Sequence, residues 1–242
     1  LNSTLPATQG LTFSEVTVQK DENLALEIAR FVAGNATGGN SLYMVLPATS
    51  WATALESARW LGADLAVISS AEEQSQISGN LTRLAAQNPA AVNHNILFGL
   101  QPMSTGSYKW ANGDWFYNTY HYSSWAAGEP NLNTGSWFNN ADAVVLSAAH
   151  GYNWDDVADT TTDGNPAYQS ALAELPLRQF GGFGYALITA SDATDAAEKA
   201  GLLGGTLADA SDSATTAFLK TFLSSGTSAW VANGAQLSHA TG

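Results

Sequence analysis

The sequence predicts an α+β domain followed by part of a second one, and three observations carry that reading. Apolar runs of strand length, Leu42-Tyr-Met-Val-Leu46 and Ile96-Leu-Phe-Gly-Leu100, flank two segments whose apolar residues recur at helical spacing. Strand character returns at Ala143-Val-Val-Leu146 and over 170–177, after a long aromatic stretch, 114–140, with no regular period. The chain then resembles itself: a shift of 142 positions lays Tyr43 on Tyr185 and continues without a gap.

In chain order, Leu11-Thr-Phe-Ser-Glu-Val-Thr-Val18 is β-prone, and an amphipathic helix is expected over 21–32, with Asp21 as N-cap and Leu24, Leu26, Ile28 and Phe31 as its stripe. A Gly/Asn-rich turn, 34–40, follows. Residues 1–40 thus read as a strand/helix packing or tethering segment. Beyond the strand at 42–46, a helix opens near Ser50, carries Trp51, Ala54, Leu55 and Ala58 on one face, and stops at Gly62. A short buried strand is expected over 64–69. Ser70-Ala-Glu-Glu73 has the form of a capping box opening a second helix. Residues 96–100 make a core strand, and Trp110-Ala-Asn-Gly113 signals a hairpin.

The internal repeat governs the end of the chain. Ala54, Glu56, Ala58, Leu61, Gly62, Leu65, Ala66 and Ser69 fall on Ala196, Glu198, Ala200, Leu203, Gly204, Leu207, Ala208 and Ser211. Residues 185–242 therefore read as the first half of the same domain, cut off before the long loop. Gln179-Phe-Gly-Gly-Phe-Gly184 reads as a Gly-rich linker.

Composition narrows the function classes. Eight Lys and Arg face 21 Asp and Glu, so a negative field repels nucleic acid and anionic lipid and favours divalent cations. Without cysteine there is no disulfide, thiolate site or thiol nucleophile. No apolar run approaches the roughly 18 residues that cross a bilayer. The start at Leu1 reads as that of a processed or trimmed chain, and the composition as that of an extracellular protein: secreted, on a cell surface or on a virion.

Two stretches concentrate oxygen-bearing side chains, Trp125-Ala-Ala-Gly-Glu-Pro-Asn131 and Asn153-Trp-Asp-Asp156. Calcium takes six to eight hard oxygens in flexible geometry, so it accepts two vicinal sugar hydroxyls in place of waters. Each hydroxyl can then also donate to a carboxylate and accept from an amide N–H.

These stretches resemble the Glu-Pro-Asn and Trp-Asn-Asp signatures of C-type lectin domains. The resemblance extends over residues 41–177 through Trp51, Leu61-Gly-Ala-Asp-Leu65, Glu73, Gly99-Leu100, Trp110 with Gly113, Trp125 with Gly128, and Trp154. It implies a C-type lectin-like fold over 41–178, with two helices packed on small antiparallel sheets beside a long irregular ligand loop. It implies a calcium ion held by Glu129, Asn131, Asp155 and Asp156, with Asp142 as a further ligand. It implies glycan contacts from Glu129, Asn131 and Asp155, mannose-type specificity, and a cis bond before Pro130. The expected partner is a glycan or cell-surface glycoconjugate, with other protein subunits as a second class.

The chain departs from the family at three places. Asp155 stands where asparagine is usual, Ala141 where a further glutamate is usual, and Ala58 with Ala173, and Ala143 with Asp159, where the two disulfides are usual. Asp142 or Asn140 would have to substitute for the glutamate, out of the expected register.

Trp110, Trp125 and Trp154 are expected in the core, and sugar-stacking or partner-binding faces among Trp115, Phe116, Tyr117, Tyr120, Tyr122, Trp137 and Phe138. The alternative function is a structural or adhesive component of a virion, filament or adhesin that uses the fold without binding sugar. A glycosidase pair formed by Glu129 with Asp155 and Asp156 is disfavoured, because metal ligation accounts for the cluster better. His94, His121, His150 and His239 show neither metal-ligand nor nucleophile-base spacing, and no enzymatic activity is expected.

Overall fold

A computed structural model describes residues 3–4, 14–21, 24–35, 37–103, 107–131, 143–158, 168–223, 228–233 and 236–241. They mix helices and strands and divide into two compact units, residues 13–175 and residues 1–12 with 176–242. Strand β1 (Ser3–Thr4) belongs to the second unit.

The first unit opens with a hairpin, β2 (Ser14–Asp21) and β3 (Leu24–Gly34), paired from Ser14↔Arg30 to Asp21↔Leu24 with a bulge near Gln19. The helix expected over 21–32 is therefore strand. The stripe Leu24, Leu26, Ile28 already has a period of two, and six consecutive residues from Ile28 to Ala33 are buried. A strand covered on both faces is apolar on successive residues, here broken by Arg30, and pairing with β2 and with β4 (Asn40–Pro47) overrides local helix propensity. Residues 14–34, within the segment 1–40 read as packing or tethering, are two strands of the main sheet.

Helix α1 (Trp51–Trp60) begins where Ser50 accepts from the Thr53 N–H and Thr53 answers the Ser50 N–H; it ends at Leu61, before Gly62 at φ +82°. Strand β5 (Asp64–Leu65) is shorter than expected, because Ala66 turns its amide to the Leu172 carbonyl and its own carbonyl to the Gly99 amide. Ser70 caps helix α2 (Ala71–Gln87). The Glu73 carboxylate accepts instead from the Ser69 N–H (2.9 Å) and the Tyr43 hydroxyl (2.8 Å), tying the helix start to β4. A short helix α3 (Pro89–Val92), unannounced by the sequence reading, follows.

The strand expected over 96–100 is two strands, β6 (Ile96–Leu97) and β7 (Leu100–Pro102). Between them the backbone serves three partners: the Phe98 carbonyl accepts the Trp51 indole N–H, the Gly99 N–H goes to Ala66, and the Gly99 carbonyl accepts from Ala111. Strand β7 joins β8 (Tyr108–Trp110) and β9 (Trp115–Phe116) in a three-stranded sheet, with Gly113 at φ +97° in the expected hairpin.

Strands β10 (Ala143–Ser147), β11 (Asn153–Val157) and β12 (Ser170–Phe180) complete the main sheet. Its order is β11-β10-β6-β12-β4-β3-β2, with β6 and β12 parallel and β5 also on β12. From α2, Ile77, Leu81 and Leu84 pack into the core that holds Phe98 and Trp154. Ala58 and Ala173, at one disulfide position of the resemblance, are both fully buried, so methyl packing occupies that place.

In the second unit, β13 (Phe183–Tyr185) pairs with β1 and with Arg178–Phe180 of β12. Residues 179–184, read as a linker, form a hairpin tip with Gly181 and Gly182 at positive φ. Helix α4 (Ala193–Leu202) is α1 displaced by 142 positions, with Asp192 for Ser50 as N-cap and Leu203 before Gly204 at φ +77°. Helix α5 (Ser213–Lys220), capped by Asp212, is shorter than α2 and has no buried residue. Strands β14 (Ser228–Asn233) and β15 (Gln236–Thr241) form a hairpin.

Candidate metal centre

The site is built on β11, which β10 holds in register through Val145↔Asp155 and Val144↔Asp156. Alternation along β11 buries Trp154 and Asp156. The stretch before the Glu-Pro-Asn sequence docks on the outer edge of this strand. Ala126 N–H donates to the Trp154 carbonyl, Trp154 N–H donates to the Ser124 carbonyl, both at 2.8 Å, and Trp125 bridges Trp154 in parallel. The chain then turns through Gly128, whose φ of +94° favours glycine, and the Glu129 N–H closes the turn on the Ala126 carbonyl. The Glu129–Pro130 peptide is cis, as the resemblance implies.

That turn returns Glu129 and Asn131 to β11. One carboxylate oxygen from each of Glu129, Asp155 and Asp156 lies within 4.8 Å of the others. Asn131 ties the group together. Its backbone N–H donates to Asp156 Oδ1 (2.8 Å) and Glu129 Oε2 (3.0 Å), and its amide Nδ2 donates to Glu129 Oε1 (2.8 Å). His150 Nδ1 stands 3.6 Å from Asp155 Oδ2.

Gathering these charges costs free energy. Burial holds the Glu129 carboxyl above its usual range and the charges of Asp155 and Asp156 push it the same way, against the Asn131 N–H. Burial likewise raises Asp155, His150 opposes it, and Asp156 adds to the rise. A bound cation would relieve both.

The three carboxylates could hold one hard cation. Metal–oxygen distances of about 2.3–2.6 Å place opposite ligands roughly 5 Å apart, so oxygens within 4.8 Å of one another can share one ion. All three donors are hard carboxylates, each with lone pairs on two oxygens.

Four of the five metal ligands named from the sequence are thus brought together: Glu129, Asp155 and Asp156 as oxygen donors, and Asn131 as the group that braces them. Asp142 lies outside the described residues, as do Asn140, Trp137 and Phe138. Trp110 and Trp154 are core residues and Trp125 packs against the core. Of the loop aromatics, Trp115, Tyr117 and Tyr120 are exposed, the last 85% so, whereas Phe116 is buried and Tyr122 meets the Trp154 ring edge-on.

Sequence reasoning missed two features. His150 gave no signal, since a turn through Gly151 and Tyr152, both at positive φ, is what aims it at Asp155. Glu174 did give one: a carboxylate inside the apolar run Ser170 to Leu175. It accepts from Ser41 Oγ (2.7 Å) and the Val67 N–H (3.4 Å), and burial raises its pKa.

Comparison of the chain with protein-family models and with curated proteins finds no match in either. Among the described residues, no helix is long and apolar enough to cross a membrane.

A pH dependence follows from the raised carboxyls. Glu129, Asp155 and Glu174 bind protons more tightly in the folded first unit than in the unfolded chain, whose ordinary values are 4.5 for Glu and 3.8 for Asp. Between those values and the raised ones the folded state holds more protons, so stability falls as pH rises. Urea unfolding in chelator, followed by tryptophan fluorescence between pH 4.5 and 7, is expected to show that decline in His94→Gln, which removes the opposing rise from the buried His94 whose pKa is lowered. Saturating calcium is expected to remove the part owed to Glu129 and Asp155, since ligated carboxylates stay ionised, and to leave the part owed to Glu174. A stability of that variant that climbs with pH in chelator would contradict the assignment.

Proposed function

We propose that the first unit is a calcium-dependent carbohydrate-binding module with a C-type lectin-like fold, displayed outside the cell. The observation that carries this reading is the convergence of Glu129, Asp155 and Asp156 from two distant stretches of chain, the same residues that the sequence resemblance selects. Calcium, when bound, supplies coordination sites for a vicinal diol. Glu129 accepts a hydrogen bond from one sugar hydroxyl, and the Asn131 amide turns from Glu129 to donate to the next. In the family that the chain resembles, a Glu-Pro-Asn order accompanies mannose-type equatorial hydroxyls, and that specificity is proposed here by resemblance. Asp155, an acceptor only, adds negative charge to the rim, which disfavours acidic sugars. A shallow site of this kind binds weakly alone, and adhesion through it requires several copies.

Calorimetry with mannose-type sugars, with and without chelator, tests the reading; absence of heat in both conditions removes the sugar. Glu129→Gln takes away one of three anionic ligands. A calcium-induced rise in Tm, which reports binding to the folded state, is expected in the parent and should shrink to near zero in the variant. An equal rise in both would remove Glu129 from the site.

The second reading is a structural or adhesive component with the same scaffold and no sugar ligand. The half-exposed Trp115 and Tyr117 and the almost fully exposed Tyr120 favour it, since exposed aromatic residues serve as anchors at protein interfaces. Under that reading Glu129→Gln leaves assembly unchanged, whereas Tyr120→Ala weakens it.

A further inference from the structure

We propose that a pocket beside the start of β12 binds a small uncharged molecule carrying one hydroxyl group, about the size of a phenol, with His94 and Ser170 as its polar end. The pocket has a volume of 190 Å³ and lies among β3, β4, α3 and the residues leading into β12. None of its lining residues belongs to the 124–131 turn or to β11, so it is separate from the metal centre.

Its walls are mostly aliphatic, including Ala29, Val45, Leu46 and Ala91. At one end His94 Nε2 lies 2.7 Å from Ser170 Oγ, and the serine is 4% exposed. An imidazole and a hydroxyl bonded to each other use one donor and one acceptor, which leaves the hydroxyl oxygen able to accept from a ligand O–H. Among the described residues, no carboxylate, lysine or arginine lines the pocket. Desolvation lowers the His94 pKa, which keeps the ring neutral near pH 7. A charged ligand would therefore be desolvated without a counter-ion, a large cost.

Size points the same way. The pocket is open to solvent on one side, and its volume exceeds the roughly 150 Å³ of a closed apolar cavity that takes up benzene, so a six-membered ring can enter with its hydroxyl at the polar end. The walls are held in place before any ligand arrives. Tyr152 Oη donates to the Val92 carbonyl (3.1 Å), His94 N–H donates to the same carbonyl (2.8 Å), and Ala48 N–H pins Gln169 (3.0 Å).

The test is a proton NMR titration of the whole chain at pH 7 in chelator, which makes it independent of the metal reading. The His94 ring signals are assigned by their loss in His94→Gln, and phenol, benzene and benzoate are added in turn. Phenol is expected to shift those signals saturably, benzene to bind about fivefold more weakly for want of one hydrogen bond, and benzoate to leave them unmoved. Ser170→Ala should bring phenol and benzene to equal affinity, and Ala91→Leu, which fills the pocket, should abolish both. No saturable shift with phenol, benzoate binding as tightly as phenol, or phenol binding unchanged in Ala91→Leu would each overturn the proposal. The wild-type comparison of the three compounds decides the matter even where a variant fails to fold.

Discussion

Trp154→Ala is expected to destabilise the first unit by about 4–5 kcal/mol, at the upper end for truncating a buried aromatic residue. The indole is fully buried and contacts the rings of Phe98, Trp110, Phe116, Tyr122 and Trp125. Its N–H donates to Gln74 Oε1 at 2.8 Å, so truncation also leaves a buried amide without that donor. Urea unfolding would register the loss, and Tm is expected to fall by roughly 10–15 °C in a unit of this size. The metal centre should suffer with it. Asp155 and Asp156 follow Trp154 directly, and the turn bearing Glu129 is pinned to the backbone of Trp154. Calcium is expected to raise the Tm of this variant less than that of the parent. Trp154→Phe, which keeps most of the ring packing, should lie between the two. A Tm within about 3 °C of the parent for the alanine variant would show that this residue is not the keystone of the core.

Gly99→Ala is the second large effect, and it arises from a single methyl group. A Cβ at Gly99 would stand 2.5 Å from the Ala66 carbonyl oxygen and 2.9 Å from that of Leu65, and both obstacles are backbone. Relief requires β5 and the β6–β7 break to move apart, which strains the Gly99 N–H bond to Ala66 and the Ala111 bond to Gly99. Overpacking of this kind costs about 3 kcal/mol. Gly79 supplies the control. It lies inside α2 with nothing within 4 Å of its would-be Cβ, so Gly79→Ala should stabilise by about 0.5–1 kcal/mol. Equal behaviour of the two variants in urea unfolding would disprove the close approach at Gly99.

Local signals were legible wherever one residue decides the geometry. Ser50 and Gly62 announced both ends of α1, and Ser70 announced α2, because a cap acts through its own side chain or its own φ. The acidic turn was legible for a similar reason: proline between a carboxylate and an amide, with Gly128 before it, is a local pattern. What failed was the segment 21–32, where Leu, Ile and Phe suit a buried strand as well as a helix face, and only pairing with β2 and β4 settles the choice. The tip at 179–184 was misread in the same way. Its glycines allow a sharp turn as well as a linker, and whether the flanks then pair depends on residues elsewhere.

The sequence alone determined the α+β class, the caps of the main helices and the identity of the acidic residues at 129, 155 and 156. Tertiary structure alone decided that these three meet within one ion's reach and that His94 and Ser170 share the end of a pocket. The physical reason is range. Caps and glycine turns are fixed by interactions over a few residues, whereas these sites join stretches of chain 25 to 76 residues apart, brought together only by the register of a sheet and the packing of its core.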